Sequence, residues 1–95
     1  MLSMRVQTMP YEVVEIQTTP NPNALKFVLN QVIATQPASF FNGEAAKDHP
    51  IASRLFLIPG ISSLLILNDF VTVNKQSSAQ WKTISGKVRD TLKKV

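Results

Sequence analysis

The chain has 95 residues, a formal net charge of +4 and no cysteine. That length holds one compact domain, and the missing thiols exclude a disulfide framework, a CxxC redox pair, a thiolate nucleophile and a Cys-ligated metal within these residues. Apolar runs such as Leu64-Leu65-Ile66-Leu67 fall far short of the roughly 20 residues of a spanning helix, so a cytoplasmic protein with no membrane segment is expected.

The charge is unevenly placed. Up to Trp81, Arg5, Lys26, Lys47, Arg54 and Lys75 balance Glu12, Glu15, Glu44, Asp48 and Asp69. Beyond it, Lys82, Lys87, Arg89, Lys93 and Lys94 face only Asp90. A general nucleic-acid binder spreads its basic residues across a face, so nucleic acid is not the expected partner.

Residues 1–10 lack clean periodicity and read as a flexible leader, leaving a domain at 11–95. Residues 11–18 alternate and are β-branched at their centre, which predicts the first strand. Pro20 and Pro22 then remove two backbone donors and hold Thr19 and Asn21 extended, and Asn23 suits the close of the turn. Residues 24–29 read as a second strand with Leu25, Phe27 and Leu29 facing the core. Residues 30–37 are expected to connect, with Val32 and Ile33 seeking cover. A short strand is possible at 38–41 before the Asn42-Gly43 turn signal.

Helical spacing of Ile51, Ala52, Leu55, Phe56 and Ile58 predicts a helix, with Pro50 in its first turn, Asp48 as N-cap and Pro59-Gly60 as its stop. Residues 61–67 and 70–74 flank Asn68-Asp69, a pair that tolerates the left-handed turn of a tight hairpin. In the second arm Val71 and Val73 share one face, and Phe70, Thr72 and Asn74 the other. A serine at 77–78 is expected to cap the last helix, whose apolar stripe is Trp81, Ile84, Val88, Leu92 and Val95. The order predicts an α+β domain: an antiparallel-dominated, four- to five-stranded sheet with two helices packed on one face.

Catalytic and metal signals are sparse. The one histidine, His49, has Asp48 beside it and Ser53 four positions on, but neighbours in one helical turn do not converge as a triad must. Six scattered carboxylates show no metal-binding spacing, and Gly43, Gly60 and Gly86 cannot build a phosphate loop. No cofactor, no metal and no catalytic residue is expected. The Pro-Asn loop is the most specific local feature, and residue types alone leave it as either a structural turn or a binding loop. Trp81 reads as a core anchor.

Several motifs together carry a resemblance. Thr19-Pro20-Asn21-Pro22-Asn23-Ala24-Leu25-Lys26-Phe27, then Ile51-Ala52-Ser53-Arg54-Leu55-Phe56, Ile58-Pro59-Gly60-Ile61, Asp69-Phe70-Val71-Thr72-Val73-Asn74-Lys75 and Trp81 follow in order. Over residues 12–95 the chain resembles the N-terminal domain of Nfu/NifU-like iron–sulfur scaffold proteins. In full-length members the cluster is held by a CxxC motif in a separate C-terminal domain, so the resemblance implies a stand-alone N-terminal domain that serves cluster assembly or delivery without ligating a cluster.

The expected function is therefore that of a non-enzymatic interaction domain. Its expected partners are a CxxC-bearing Nfu domain or iron–sulfur client proteins. Its expected contacts are Thr19, Pro20, Asn21, Asn23, Lys26, Asp69, Thr72 and Lys75. The alternative is anion or nucleic-acid binding through Lys87, Arg89, Lys93 and Lys94 of the last helix.

Overall fold

The computed structural model describes residues 11–94; the leader assigned to 1–10 and the stripe position Val95 lie outside them. Five strands and two helices follow in the order β1 (Val13–Thr18), β2 (Ala24–Leu29), β3 (Ala34–Phe40), α1 (Ala52–Leu55), β4 (Ile61–Asn68), β5 (Phe70–Lys75) and α2 (Trp81–Lys94). The strands form one sheet in the order β1-β2-β5-β4-β3, and every adjacent pair is antiparallel. The fold is α+β, as the alternation of hairpins and helices predicts.

Strand periodicity sets which residues enter the core. Phe27 and Leu29 of β2, Leu64 and Ile66 of β4, and Val71 and Val73 of β5 point to one face and are buried. Ala52 and Leu55 of α1 and Ile84, Val88 and Leu92 of α2 close over that face in the same cluster. Both helices thus pack on one side, and no buried residue among those described is polar or charged.

The β4–β5 hairpin turns at Asn68, whose φ of 52° is the left-handed conformation an asparagine tolerates. Its tip also carries the chain to the far edge of the sheet. Leu29 N–H donates to the Asp69 carbonyl and Ile33 N–H to the Asn68 carbonyl, each at 2.6 Å. Ile33 gains cover against the core, whereas Val32, expected to need it too, is 62% exposed.

Four local expectations are corrected. The first strand begins at Val13 rather than at residue 11, because Tyr11 N–H donates instead to the Leu92 carbonyl of α2 at 3.0 Å. The third strand is longer than 38–41 and contains Pro37. It is an edge strand, and its register with β4 shifts between Ala34 and Ala38, so the missing N–H leaves no ladder bond broken. The first helix is a single turn with Ile51, not Asp48, at its N-cap position. The side chain that serves its first N–H groups is His49, whose Nδ1 accepts from Ile51 N–H at 3.2 Å and Ala52 N–H at 3.0 Å. At α2, which begins at Trp81, the residue before the helix is Gln80, whose carbonyl accepts from Thr83 and Ile84 N–H, so neither serine at 77–78 stands at the cap.

Gly60 locks the two helical connections together. Its φ is +98°, and a Cβ placed there would lie 2.7 Å from Ala79 Cβ. Gly86 on α2 has nothing within 4 Å of the equivalent position. Gly60→Ala is therefore expected to destabilise the domain by more than about 2 kcal/mol, while Gly86→Ala stabilises it by about 0.5–1 kcal/mol. Thermal unfolding of the two variants checks this: their midpoints should move in opposite directions, by about 4–8 °C per kcal/mol.

Candidate functional site

The Pro-Asn loop between β1 and β2 holds its shape through its own side chains. Asn21 N–H donates to Thr19 Oγ1 at 3.1 Å, and the Thr19 hydroxyl reaches the carbonyls of Asn21 and Ala24 at 2.9 and 3.0 Å. Asn23 N–H donates to Asn21 Oδ1 at 2.9 Å, the side-chain-closed turn that asparagine favours. With two prolines fixing φ, little freedom remains.

Three contacts then fasten this loop to the body. Trp81 Nε1–H donates to the Pro22 carbonyl at 3.1 Å. Lys75 Nζ donates to Asn23 Oδ1 at 3.0 Å, and Lys75 N–H to the Asn23 carbonyl at 2.8 Å. The Trp81 ring meets Phe27 at 6.3 Å between centroids, and Lys75 Nζ sits 5.8 Å from the ring centre. Trp81 is half-buried against the core, so it anchors both core and loop. Pro20 and Asn21 remain exposed.

The second feature is the face of the sheet that neither α1 nor α2 covers among the described residues. Register places Glu15, Val28, Phe70 and Leu67 in one row across β1, β2, β5 and β4. Gln17, Lys26, Thr72, Leu65 and Ser39 form the next row. Val28, Leu65, Leu67 and Phe70 are only half-buried, and Lys26 lays its ammonium 4.2 Å from the Phe70 ring centre, a cation–π contact.

Of the residues expected to act together, Thr19, Pro20, Asn21, Asn23 and Lys75 share the loop end of the sheet, and Lys26 and Thr72 pair across the middle of the open face. Asp69 lies apart. It sits at the hairpin tip, at the other end of β5, about 20 Å away by strand length. Val28, Leu65 and Leu67 join the open face without having been expected there. Their signal is Leu64-Leu65-Ile66-Leu67, apolar at consecutive positions, whereas a strand covered on one side only alternates.

The cations of the alternative site do not converge. Lys87 and Lys94 line a groove with Arg54. Lys93 borders a different hollow with Tyr11, Glu12 and Asn30, and Arg89 is exposed and lines neither. At His49, burial pushes the imidazole pKa below its usual 6.5, Nδ1 is occupied by two backbone donors, and the ring packs edge-on against Phe40. Its geometry is that of a cap. Among the described residues no group of three or more His, Cys, Asp or Glu side chains is gathered where it could hold a metal, and no helix is long and apolar enough to cross a membrane.

Comparison with known proteins gives a consistent picture. Residues 14–95 match the family described as scaffold protein Nfu/NifU N terminal. The NFU1 iron–sulfur cluster scaffold homolog, mitochondrial, of Homo sapiens is 34% identical over 84 residues, covering 86% of this chain and 33% of that protein. Its Drosophila erecta counterpart is 35% identical over 77 residues, 79% of this chain and 27% of that protein. The chain thus spans only about a third or less of these relatives. Among solved structures, a NifU-like protein from Saccharomyces cerevisiae superposes with a TM-score of 0.78 at 29% identity, over 99% of this chain and 85% of that one. A Staphylococcus aureus protein shares the fold with a TM-score of 0.73 at 22% identity, over 84% and 96%.

Two outcomes follow from these geometries. Trp81→Phe keeps an aromatic ring but removes the bond to Pro22, and is expected to lower stability by about 0.5–1.5 kcal/mol. Amide shifts in its NMR spectrum should concentrate at residues 19–24; shifts spread evenly over the sheet would contradict the tether. For His49, the folded state favours neutral imidazole, so its contribution is present above about pH 6.5 and is lost as pH falls through the lower folded value. Urea unfolding between pH 7.5 and 5 should show that decline, and His49→Asn, which keeps an acceptor that does not titrate, should flatten it.

Proposed function

The chain belongs to the Nfu/NifU N-terminal scaffold-protein family, and from that premise we propose that it is a non-enzymatic docking domain serving iron–sulfur cluster assembly or delivery. The cluster is cargo held elsewhere. With no cysteine in the sequence and no gathered donor set among the described residues, these side chains do not fit a cluster, and no ligating step falls to them. The partners in this reading are proteins: a CxxC-bearing Nfu domain or the apoproteins that receive clusters.

What supports the reading most is the open sheet face. Four half-buried apolar side chains, Val28, Leu65, Leu67 and Phe70, lie side by side on it with Lys26 and Thr72 between them. A rigid strand face positions such groups more firmly than a loop does. Apolar and aromatic side chains ringed by polar ones are the composition of a protein interface. The exposed Pro20 and Asn21 extend the surface at the loop end, and their stiffness keeps the ordering entropy lost on binding small. Asp69 extends it at the other end.

The cytoplasmic location expected from composition is part of this proposal and stands beside the mitochondrial designation of the curated relatives; microscopy of the tagged chain in its own cell decides between them.

Titration of the isotopically labelled chain with a CxxC-bearing Nfu domain, and separately with apoprotein clients, tests the surface. Amide shifts are expected at Lys26, Val28, Leu65, Leu67, Phe70 and Thr72 with at least one of them. Phe70→Ser should weaken that binding by about tenfold or more without unfolding the chain. Saturating partner with no shift on this face, or full affinity in the variant, refutes the proposal.

A further inference from the structure

On the opposite layer of the domain, the turn after α1 and the flank of α2 enclose a groove of about 460 Å³. Leu57, Ile58 and Pro59 form its apolar wall, and Arg54, Lys87 and Lys94 surround it, with Asp90 and Thr91 completing the lining. Leu57 is 80% exposed, the highest of any large apolar side chain described. The three cations have no carboxylate partner: among the described residues the sole ion pair joins Lys47 to Glu44, both on another turn.

The helix dipole accounts for Lys94 near the C-terminus of α2. It does not account for Lys87 at mid-helix, and Arg54, in the last turn of the four-residue α1, reaches the same groove from a different element. Three unpaired cations around apolar surface, against one carboxylate, define the charge of what fits. We infer that this groove docks a short acidic segment of a partner protein, one that seats an apolar side chain against Leu57 and Pro59 and directs carboxylates to Arg54, Lys87 and Lys94.

The dimensions agree with a short occupant. Lys87 and Lys94 are two helical turns apart, about 10 Å along the axis, which an extended segment spans in three or four residues. Asp90 lies between them and sets the register, because a carboxylate opposite it is repelled. The favoured segment therefore alternates, acidic at its ends and apolar or uncharged at its centre. A second copy of this chain fits poorly, since its own net charge is +4 and the groove is cationic. Nucleic acid brings negative charge but no apolar anchor for Leu57.

The probe is a short synthetic peptide in which leucine and glutamate alternate, titrated into the labelled chain at low ionic strength. Shifts are expected at Arg54, Leu57, Ile58 and along 87–94, and affinity should fall as salt screens the pairs. The same peptide with glutamine for glutamate should bind about tenfold more weakly or worse, as should the Lys87→Glu/Lys94→Glu and Leu57→Ser variants. Arg89→Glu/Lys93→Glu, equal in charge change but outside the groove, should leave affinity within about twofold. Four results would overturn the inference: no shift in the groove, equal binding of the glutamine peptide, equal loss with the Arg89/Lys93 pair, or a single-stranded oligonucleotide bound more tightly at the same residues. Shifts at those residues that grow with protein concentration alone would assign the groove to a second copy and overturn it too.

Discussion

Helical cover is the scarce resource in this molecule. A five-stranded sheet presents two faces, and the described residues supply one helix of 14 residues and one of 4 to cover them. Both lie on the same side, because Ala52, Leu55, Ile84, Val88 and Leu92 join Phe27, Leu64, Ile66, Val71 and Val73 in one core. Splitting them would leave two half-covered faces and no closed core, which a domain of this size cannot sustain. Among the described residues, one face is therefore sealed and the other has no helical cover. The half-buried row of Val28, Phe70 and Leu67 is a direct consequence of that asymmetry.

The Pro-Asn loop is better understood as the clasp of this arrangement than as a free recognition loop. It joins β1 to β2, but the groups that hold it come from the end of β5 and the start of α2, through Lys75 and Trp81. Its side-chain oxygens are engaged internally: the Thr19 hydroxyl, Asn21 Oδ1 and Asn23 Oδ1 all make bonds within the clasp. Gly60 draws the next connection onto the same corner, its carbonyl accepting from Gln76 N–H at 2.8 Å. Loop, hairpin and helix thus meet at one corner of the sheet. That rigidity lets the exposed Pro20 and Asn21 hold a fixed place beside the open face.

Much of this was legible from local sequence, and the exceptions share a cause. Hairpin arms, the Asn68 turn, the face shared by Val71 and Val73, and the Ile84/Val88/Leu92 stripe all follow from periodicity and turn chemistry, which act over a few residues. What depended on long-range partners did not show. Whether Pro37 interrupts a strand depends on its lying at an edge, and the helix cap passed to His49 because its ring reaches the first free N–H groups. The eight expected contact residues were grouped by motif, yet antiparallel pairing puts Asp69 and Asn23 at opposite ends of the sheet. Lys87, Arg89, Lys93 and Lys94 read as one patch along the sequence, yet in the fold they border different hollows or none. The open apolar face was written in Leu64-Leu65-Ile66-Leu67, but its meaning required knowing that only one side would be covered.

A domain without cluster ligands can still govern where a cluster goes. Transfer requires donor and acceptor sulfur ligands to meet, and a carrier that binds both proteins raises their local concentration without touching the metal. Such a carrier needs two surfaces that do not compete. The open sheet face and the groove beside α2 lie on opposite layers, and they differ in kind: the first is apolar with a polar border, the second cationic with an apolar wall. Binding at the second, as proposed, would weaken with salt far more than binding at the first. On the two proposals together, the domain would be an adaptor that engages one partner through burial and another through charge.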